Sequence, residues 1–208
     1  LEGNSGSAFA EQREVNKVLV VAVTSNRGLA GAFNSNIVKA CKELAANTYA
    51  NQEVSFMTIG KKGNDILTKT GSVIANNNQI FYDLTFENTA TIAEDLIERF
   101  SKGDFDKIVL VYNKFKNAAT QIVMQEQFLP IEQSAADIDN TSGVTVDYIF
   151  EPTKEYIVSE LIPKSLKTQL FKGIRDSVAS EHGARMTAMH KATDNAGELK
   201  DALTLEYN

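Results

Sequence analysis

The chain has no tryptophan, three prolines and a single cysteine in 208 residues. One cysteine, Cys41, excludes an internal disulfide and a multi-cysteine metal site, and fits a reducing compartment. Cys41 falls in step with Ile37, Val38 and Leu44 on one face of an expected helix, so it reads as a core residue. An excess of basic charge is also missing. Lys and Arg total 21 against 27 Asp and Glu, a net charge of -6, and no basic cluster stands out, which sets nucleic acid aside. No apolar run reaches the roughly 18 residues needed to span a bilayer. The polar stretch 1–16, "LEGNSGSAFAEQREVN", lacks the apolar segment of a secretory signal. The expectation is a soluble globular chain, and 43% hydrophobic content over this length is enough to bury a core.

What is present is organised. "KVLVVAVT" at 17–24 is β-branched and continuous, the pattern of a strand buried on both faces with helices on both sides. A helix is expected from about Asn34 to Thr48, with Asn34 or Ser35 capping its free N–H groups. Residues 53–60 read as a second strand and 61–70 as a short helix stopping at Gly71. Turn signals around Asn76–Asn78 precede a short strand near "QIFYDL". Ile92, Leu96, Ile97 and Phe100 mark a helix over 88–101. Strands at 106–115 and 120–130 form an antiparallel pair, and "VTVDYIF" ends the sheet after a polar loop at 132–143. The fold class is α/β: a three-layer, Rossmann-like sheet, mostly parallel and mixed at its C-terminal edge, with a long C-terminal α-helix.

From residue 153 onward no strand is expected. Ile157, Leu161, Leu166, Leu170, Ile174, Val178, Met186, Met189, Leu199, Leu203 and Tyr207 trace one stripe along a helix on the order of 80 Å long. Pro163 marks a kink or the start of the long helix, and Gly173, Gly183 and Gly197 each cost about 1 kcal/mol relative to alanine. Eight basic and eight acidic residues after 152 balance, so neither a membrane-surface helix nor an acidic tail fits. The helix either folds back on its own sheet or projects and needs a second helix to cover its stripe; the projecting form is favoured.

The loop after the first strand, "TSNRGLAGAFNSN" at 24–36, raises the question of phosphate. Its Gly28–Gly31 spacing is G-x-x-G, which is neither G-x-G-x-x-G nor G-x-x-x-x-G-K-[ST], and no lysine follows before Lys39. A nucleotide-binding α/β enzyme using this loop remains the alternative reading. His182 and His190 lie about 12 Å apart along a helix and cannot share a metal ion. No serine sits in G-x-S-x-G, and Glu94, Asp95 and Glu98 read as a solvated helix face rather than a paired acid and base. No catalytic residue, cofactor site or metal site is assigned.

Three segments resemble one family. "TSNRGLAGAFNSN" at 24–36, "DYIFEP" at 147–152 and "ASEHGARMTAMHKATDNAGEL" at 179–199 are similar, in order and spacing, to segments of the gamma subunit of F-type ATP synthases. The resemblance implies a central-stalk rotor that is not itself catalytic. Its α/β foot (17–152) and C-terminal shaft helix (153–208) transmit torque between a proton-driven membrane ring and the catalytic subunits, the helix forming half of a coiled coil in the intact protein. It implies that Asn26, Arg27, Gly28, Ala30, Glu181, Arg185 and Met189 face the catalytic subunits, with Arg185 in charged contact, and that Tyr148, Phe150 and Glu151 face the membrane ring. The glycines of the loop would serve a tight turn and close approach. Partners implied are the alpha and beta subunits, epsilon and the membrane c-ring, at the cytoplasmic face of a bacterial inner membrane. The family has a long helix before the first strand and a further C-terminal motif. Against that pattern, 1–16 reads as a remnant linker and the chain as a piece of the subunit, able to self-associate through 153–208.

Overall fold

The computed structural model describes residue 9, residues 13–131 and residues 156–207. Five strands form one sheet in the order β3-β2-β1-β4-β5. Strand β1 (Lys17–Val23) lies at its centre and is buried from Val18 onward. It pairs in parallel with β2 (Glu53–Ile59) and with β4 (Lys107–Asn117), β2 pairs in parallel with β3 (Ser72–Asn76), and β5 (Thr120–Leu129) closes the far edge antiparallel to β4. The mixed sheet expected from the continuous apolar runs is therefore present, while the expected last strand, "VTVDYIF", lies outside the described residues.

Alternation along β1 feeds two cores. Val18, Val20 and Ala22 pack with Ile37, Val38, Cys41 and Leu67 from helices α1 (Phe33–Glu43) and α2 (Lys61–Leu67). Leu19, Val21 and Val23 point the other way, into a larger cluster with Ile92, Leu96 and Phe100 of α3 (Phe86–Ser101) and Leu166, Leu170 and Ile174 of α4 (Ile162–Tyr207). Helices α3 and α4 are fastened side by side by an edge-to-face pair, Phe86 against Phe171 at 5.7 Å, and by a Lys167–Glu94 ion pair at 2.6 Å.

Two local expectations need correction. The "QIFYDL" segment forms a 3-10 turn over Asn78–Tyr82, and the strand lies earlier, at Ser72–Asn76. An edge strand half exposed along its length needs no dense apolar run, whereas Ile80 reaches the core from a turn. Helix α1 begins at Phe33, and neither Asn34 nor Ser35 caps it: Asn34 holds the preceding loop and Ser35 donates back to Ala32 O at 3.0 Å. Pro163 stands, as one of its two readings had it, at the start of the long helix: it is the second residue of α4, directly after a π-helical turn at Ile157–Leu161.

The long helix satisfies both readings of its stripe, one in each half. Leu166, Leu170, Gly173, Ile174, Ser177, Ser180, Gly183 and Ala184 are buried on the body. Three fully buried aliphatic side chains at about 1.5–3 kcal/mol each hold that half firmly. From Met189 to Tyr207 every residue is exposed, a run of roughly 28 Å at the helical rise. Leu199, Leu203, Leu205 and Tyr207 are more than half exposed there.

Candidate functional site

The loop between β1 and α1 meets α4 where the helix leaves the body. The loop is held from within. Ser25 N donates to Asn34 Oδ1 at 2.9 Å, Asn34 Nδ2 donates to Ser25 Oγ at 2.8 Å, and Ser25 Oγ donates to Arg27 O at 2.6 Å. Asn26 ties the loop to its neighbours: its Nδ2 donates to Asn78 O at 2.9 Å, and its Oδ1 accepts from Lys61 N at 3.0 Å. Thr24, fully buried at the end of β1, accepts from Gly63 N at 2.9 Å. Gly60, at φ +116, runs so close to it that a Cβ there would stand 2.2 Å from Thr24 O. The glycine pair Gly60 and Gly63 is thus the close backbone approach of this region.

Arg185 completes the join. Its guanidinium donates to Gly28 O of the loop and to the Glu181 carboxylate one turn back on α4. Beside it, Ala184 packs with Ala30 and Phe33 in a small buried cluster. A cleft of about 610 Å³ opens next to this join, with Arg27, Lys61, Tyr82 and His182 on its walls.

The loop does not have the form of a phosphate cradle. Such a cradle converges N–H donors on the anion, whereas this loop turns a carbonyl toward α4 and an arginine occupies it. Gly31 supplies a turn at φ +55, but a Cβ at Gly28 would meet only Lys62 Cε at 3.8 Å, so close approach within the chain does not explain that glycine.

The structure brings most of the expected contact residues to one end of the sheet, in different states. Arg27 is exposed, Met189 is 43% exposed, and Gly28 and Asn26 are partly covered. Ala30 is buried, and the side chains of Arg185 and Glu181, 25% and 17% exposed, are partnered within the chain. Tyr148, Phe150 and Glu151 lie outside the described residues. Two features escape a reading of the sequence. Leu29 is 77% exposed with a positive φ of 63, a combination a bulky apolar side chain adopts only when the loop forces it. The tip of the β4–β5 hairpin, Phe115 to Ala118, also abuts α4.

Titratable groups in the core are structural. Burial pushes the Cys41 thiol up to about 12. Burial, then the hydrogen bond donated to Glu126 at 2.7 Å, raises the Tyr112 phenol. Among the described residues no three metal-ligating side chains converge, and no helix is long and apolar enough to cross a membrane.

Comparison with known proteins gives a consistent result. The family model described as ATP synthase matches residues 2–208. An ATP synthase gamma chain from Flavobacterium johnsoniae is 62% identical over 208 residues, covering 100% of this chain and 71% of that protein. One from Cytophaga hutchinsonii is 49% identical over 213 residues, covering 100% of this chain and 72% of its own length. The central stalk and c-ring structure of the Tetrahymena thermophila mitochondrial ATP synthase contains a chain that is 27% identical with a TM-score of 0.66, covering 92% of this chain and 83% of that one. The rotor of the Euglena gracilis mitochondrial enzyme, 19% identical, shares the fold at a TM-score of 0.70, covering 98% of this chain and 79% of that one.

Proposed function

The chain belongs to the ATP synthase gamma-chain family, and from that premise we infer that it is the central-stalk rotor subunit, coupling a membrane ring to the catalytic subunits. The observation that carries this reading beyond membership is the two-part helix: α4 is anchored on the body as far as Ala184 and then continues, exposed at every residue, from Met189 to Tyr207. A projecting apolar stripe is costly in water, about 25 cal/mol for each Å² left uncovered, so it has a use only when gripped by other chains or by further parts of the same protein. The subunit works as a stiff shaft and performs no bond chemistry. Its nucleotide-binding alternative is not favoured, because the loop offers a carbonyl where a phosphate needs donors.

The division into a foot at 17–152 and a shaft at 153–208 belongs to this proposal, with the first half of α4 serving both. So does the contact surface. Asn26, Arg27, Gly28, Leu29 and Met189 present the face toward the catalytic ring of alpha and beta subunits. Ala30, Glu181 and Arg185 belong to the same face and also hold the loop against α4. Tyr148, Phe150 and Glu151 are proposed to meet the c-ring, with epsilon beside the foot, peripheral to the cytoplasmic face of a bacterial inner membrane. Left alone, the chain self-associates through 153–208, or the end of that helix frays.

The test is reconstitution. The full-length chain mixed with alpha and beta subunits should co-migrate as one complex whose ATP hydrolysis turns a bead fixed to the foot. A complex that forms equally well without the chain, or hydrolyses without rotation, would refute the proposal.

A further inference from the structure

Helix α4 leaves the body abruptly, and at the exit two loops hold it at once. From one side Arg185 donates to Gly28 O and to Glu181, and Ala184 packs on Ala30 and Phe33. From the other, Thr187 Oγ1 lies 3.2 Å from Ala118 O and 3.1 Å from Gly183 O, its one proton shared between them. Gly183 sits so near the hairpin tip that a Cβ would stand 3.0 Å from Ala118 Cα and 3.1 Å from its carbonyl oxygen. At 3.6 residues per turn, Gly183 and Thr187 share a face and Arg185 points about 160° away from it.

That opposition matters mechanically. A helix seated on an apolar stripe resists lifting, but burial and dispersion, being non-directional, oppose only rolls large enough to uncover the stripe. Directed bonds on opposite faces, one of them at the end of a long charge-assisted arm, oppose roll in both senses. Glu181 adds to this by fixing the arginine's orientation.

We propose that the turn Glu181–Thr187 is a torsional clasp, fixing the rotation of α4 about its own axis so that twist entering the exposed 189–207 segment passes to the sheet at this turn. The clasp takes its purpose from the rotor reading, while its existence can be measured without it. Gly28 and Ala118 are the points on the body that receive the load, through the β1–α1 loop and the β4–β5 hairpin.

The experiment measures orientation in the full-length chain. Spin labels are placed at Thr91→Cys on α3 and Asp194→Cys on the projecting helix, both exposed, while Cys41 is fully buried and stays unlabelled. Double electron–electron resonance of this parent, diluted in excess unlabelled chain so that only distances within one chain contribute, should give one narrow distance distribution. With Arg185→Met and Thr187→Val together the distribution should broaden to about twice the parent width, with each single change in between. Arg185→Lys, which reaches one acceptor but not both, should also fall in between.

A broad parent distribution, or a doubly substituted chain with parental helix content and parental width, would overturn the clasp. If the double variant does not fold, Thr187→Val decides, being isosteric: parental width there overturns the proposal. Failure of the rotor reading looks different, since a chain with a narrow parent distribution that never joins the catalytic ring leaves the clasp standing and removes only its use.

Discussion

Ser180 on α4 donates its hydroxyl to the carbonyl oxygen of Asn113 on β4 at 3.0 Å, and both residues are buried. The same asparagine donates its side-chain amide to Phe33 O, at the start of α1, at 3.1 Å. A polar relay therefore crosses the sheet, joining α4 on one side to α1 on the other. Replacing Asn113 by alanine removes the second donor from Phe33 O, a carbonyl already paired within α1, and leaves a cavity between sheet and helix, and should cost about 2–3 kcal/mol. Ser180→Ala should cost about 1 kcal/mol, the net worth of one neutral hydrogen bond. Denaturant unfolding of the full-length chain measures both; equal losses would show that the relay is not what Asn113 supplies.

Glycines 60 and 197 should respond to alanine with opposite signs. At Gly60 the backbone is left-handed, and a Cβ would collide with Thr24 O at 2.2 Å, a contact no side-chain motion relieves. Gly60→Ala should cost at least about 3 kcal/mol and detach the β1–α1 loop from α2. At Gly197 a Cβ meets nothing within 4 Å. Gly197→Ala should strengthen the exposed end of α4 by about 1 kcal/mol of helix propensity. Circular dichroism of the two variants against the parent is the check, and a destabilised Gly197→Ala chain would mean that the helix end is not held as described.

Stability should fall at alkaline pH partly through Cys41. The folded chain keeps the thiol protonated up to about 12, against an ordinary 9.0, because burial disfavours the thiolate. Between those values the unfolded state binds fewer protons than the folded one, so stability drops as pH rises, while below pH 9 the group contributes no pH dependence. At a pH of about 10.5 the loss reaches roughly 2 kcal/mol. Tyr112, also raised, adds the same fall to any variant that keeps it. Cys41→Ala should therefore start less stable at pH 8 and lose less between pH 8 and 10.5. Parallel denaturation curves at the two pH values decide it, and identical losses in both chains would rule the thiol out.

How far the sequence could be read depended on whether each element answers to its own residues. "KVLVVAVT" announced a strand buried on both faces, and the hairpin after β4 followed from alternation next to a polar break. Strand β3 escaped because "SVIAN" is short and half exposed, while the aromatic-rich "QIFYDL" next to it carries the stronger strand propensity and forms a turn. On α4, Leu166–Leu170–Ile174 and Leu199–Leu203–Tyr207 have the same helical spacing, so periodicity could not say that the sheet covers the first set and leaves the second bare. Arg185 presents the same difficulty more sharply. Its acceptor Gly28 lies 157 positions upstream, and no local pattern pairs them.

Leu29 separates folding from docking, since its exposed side chain and left-handed backbone give it no stabilising role within the body. A leucine at positive φ costs about 1 kcal/mol, which asparagine largely avoids by tolerating that conformation. Leu29→Asn should leave the full-length chain as stable as the parent or slightly more so. If Leu29 seats in an apolar recess of the catalytic ring, losing its burial there costs about 1.5–3 kcal/mol, which is roughly a ten- to hundredfold weaker association. Arg27→Gln, one position from Gly28 and exposed, should also weaken association, but with a dependence on salt that the leucine variant lacks. Titrating each variant against the alpha and beta subunits at two ionic strengths distinguishes the contributions. Unimpaired association of Leu29→Asn would leave the strained leucine without a partner and move the contact surface away from the tip of this loop.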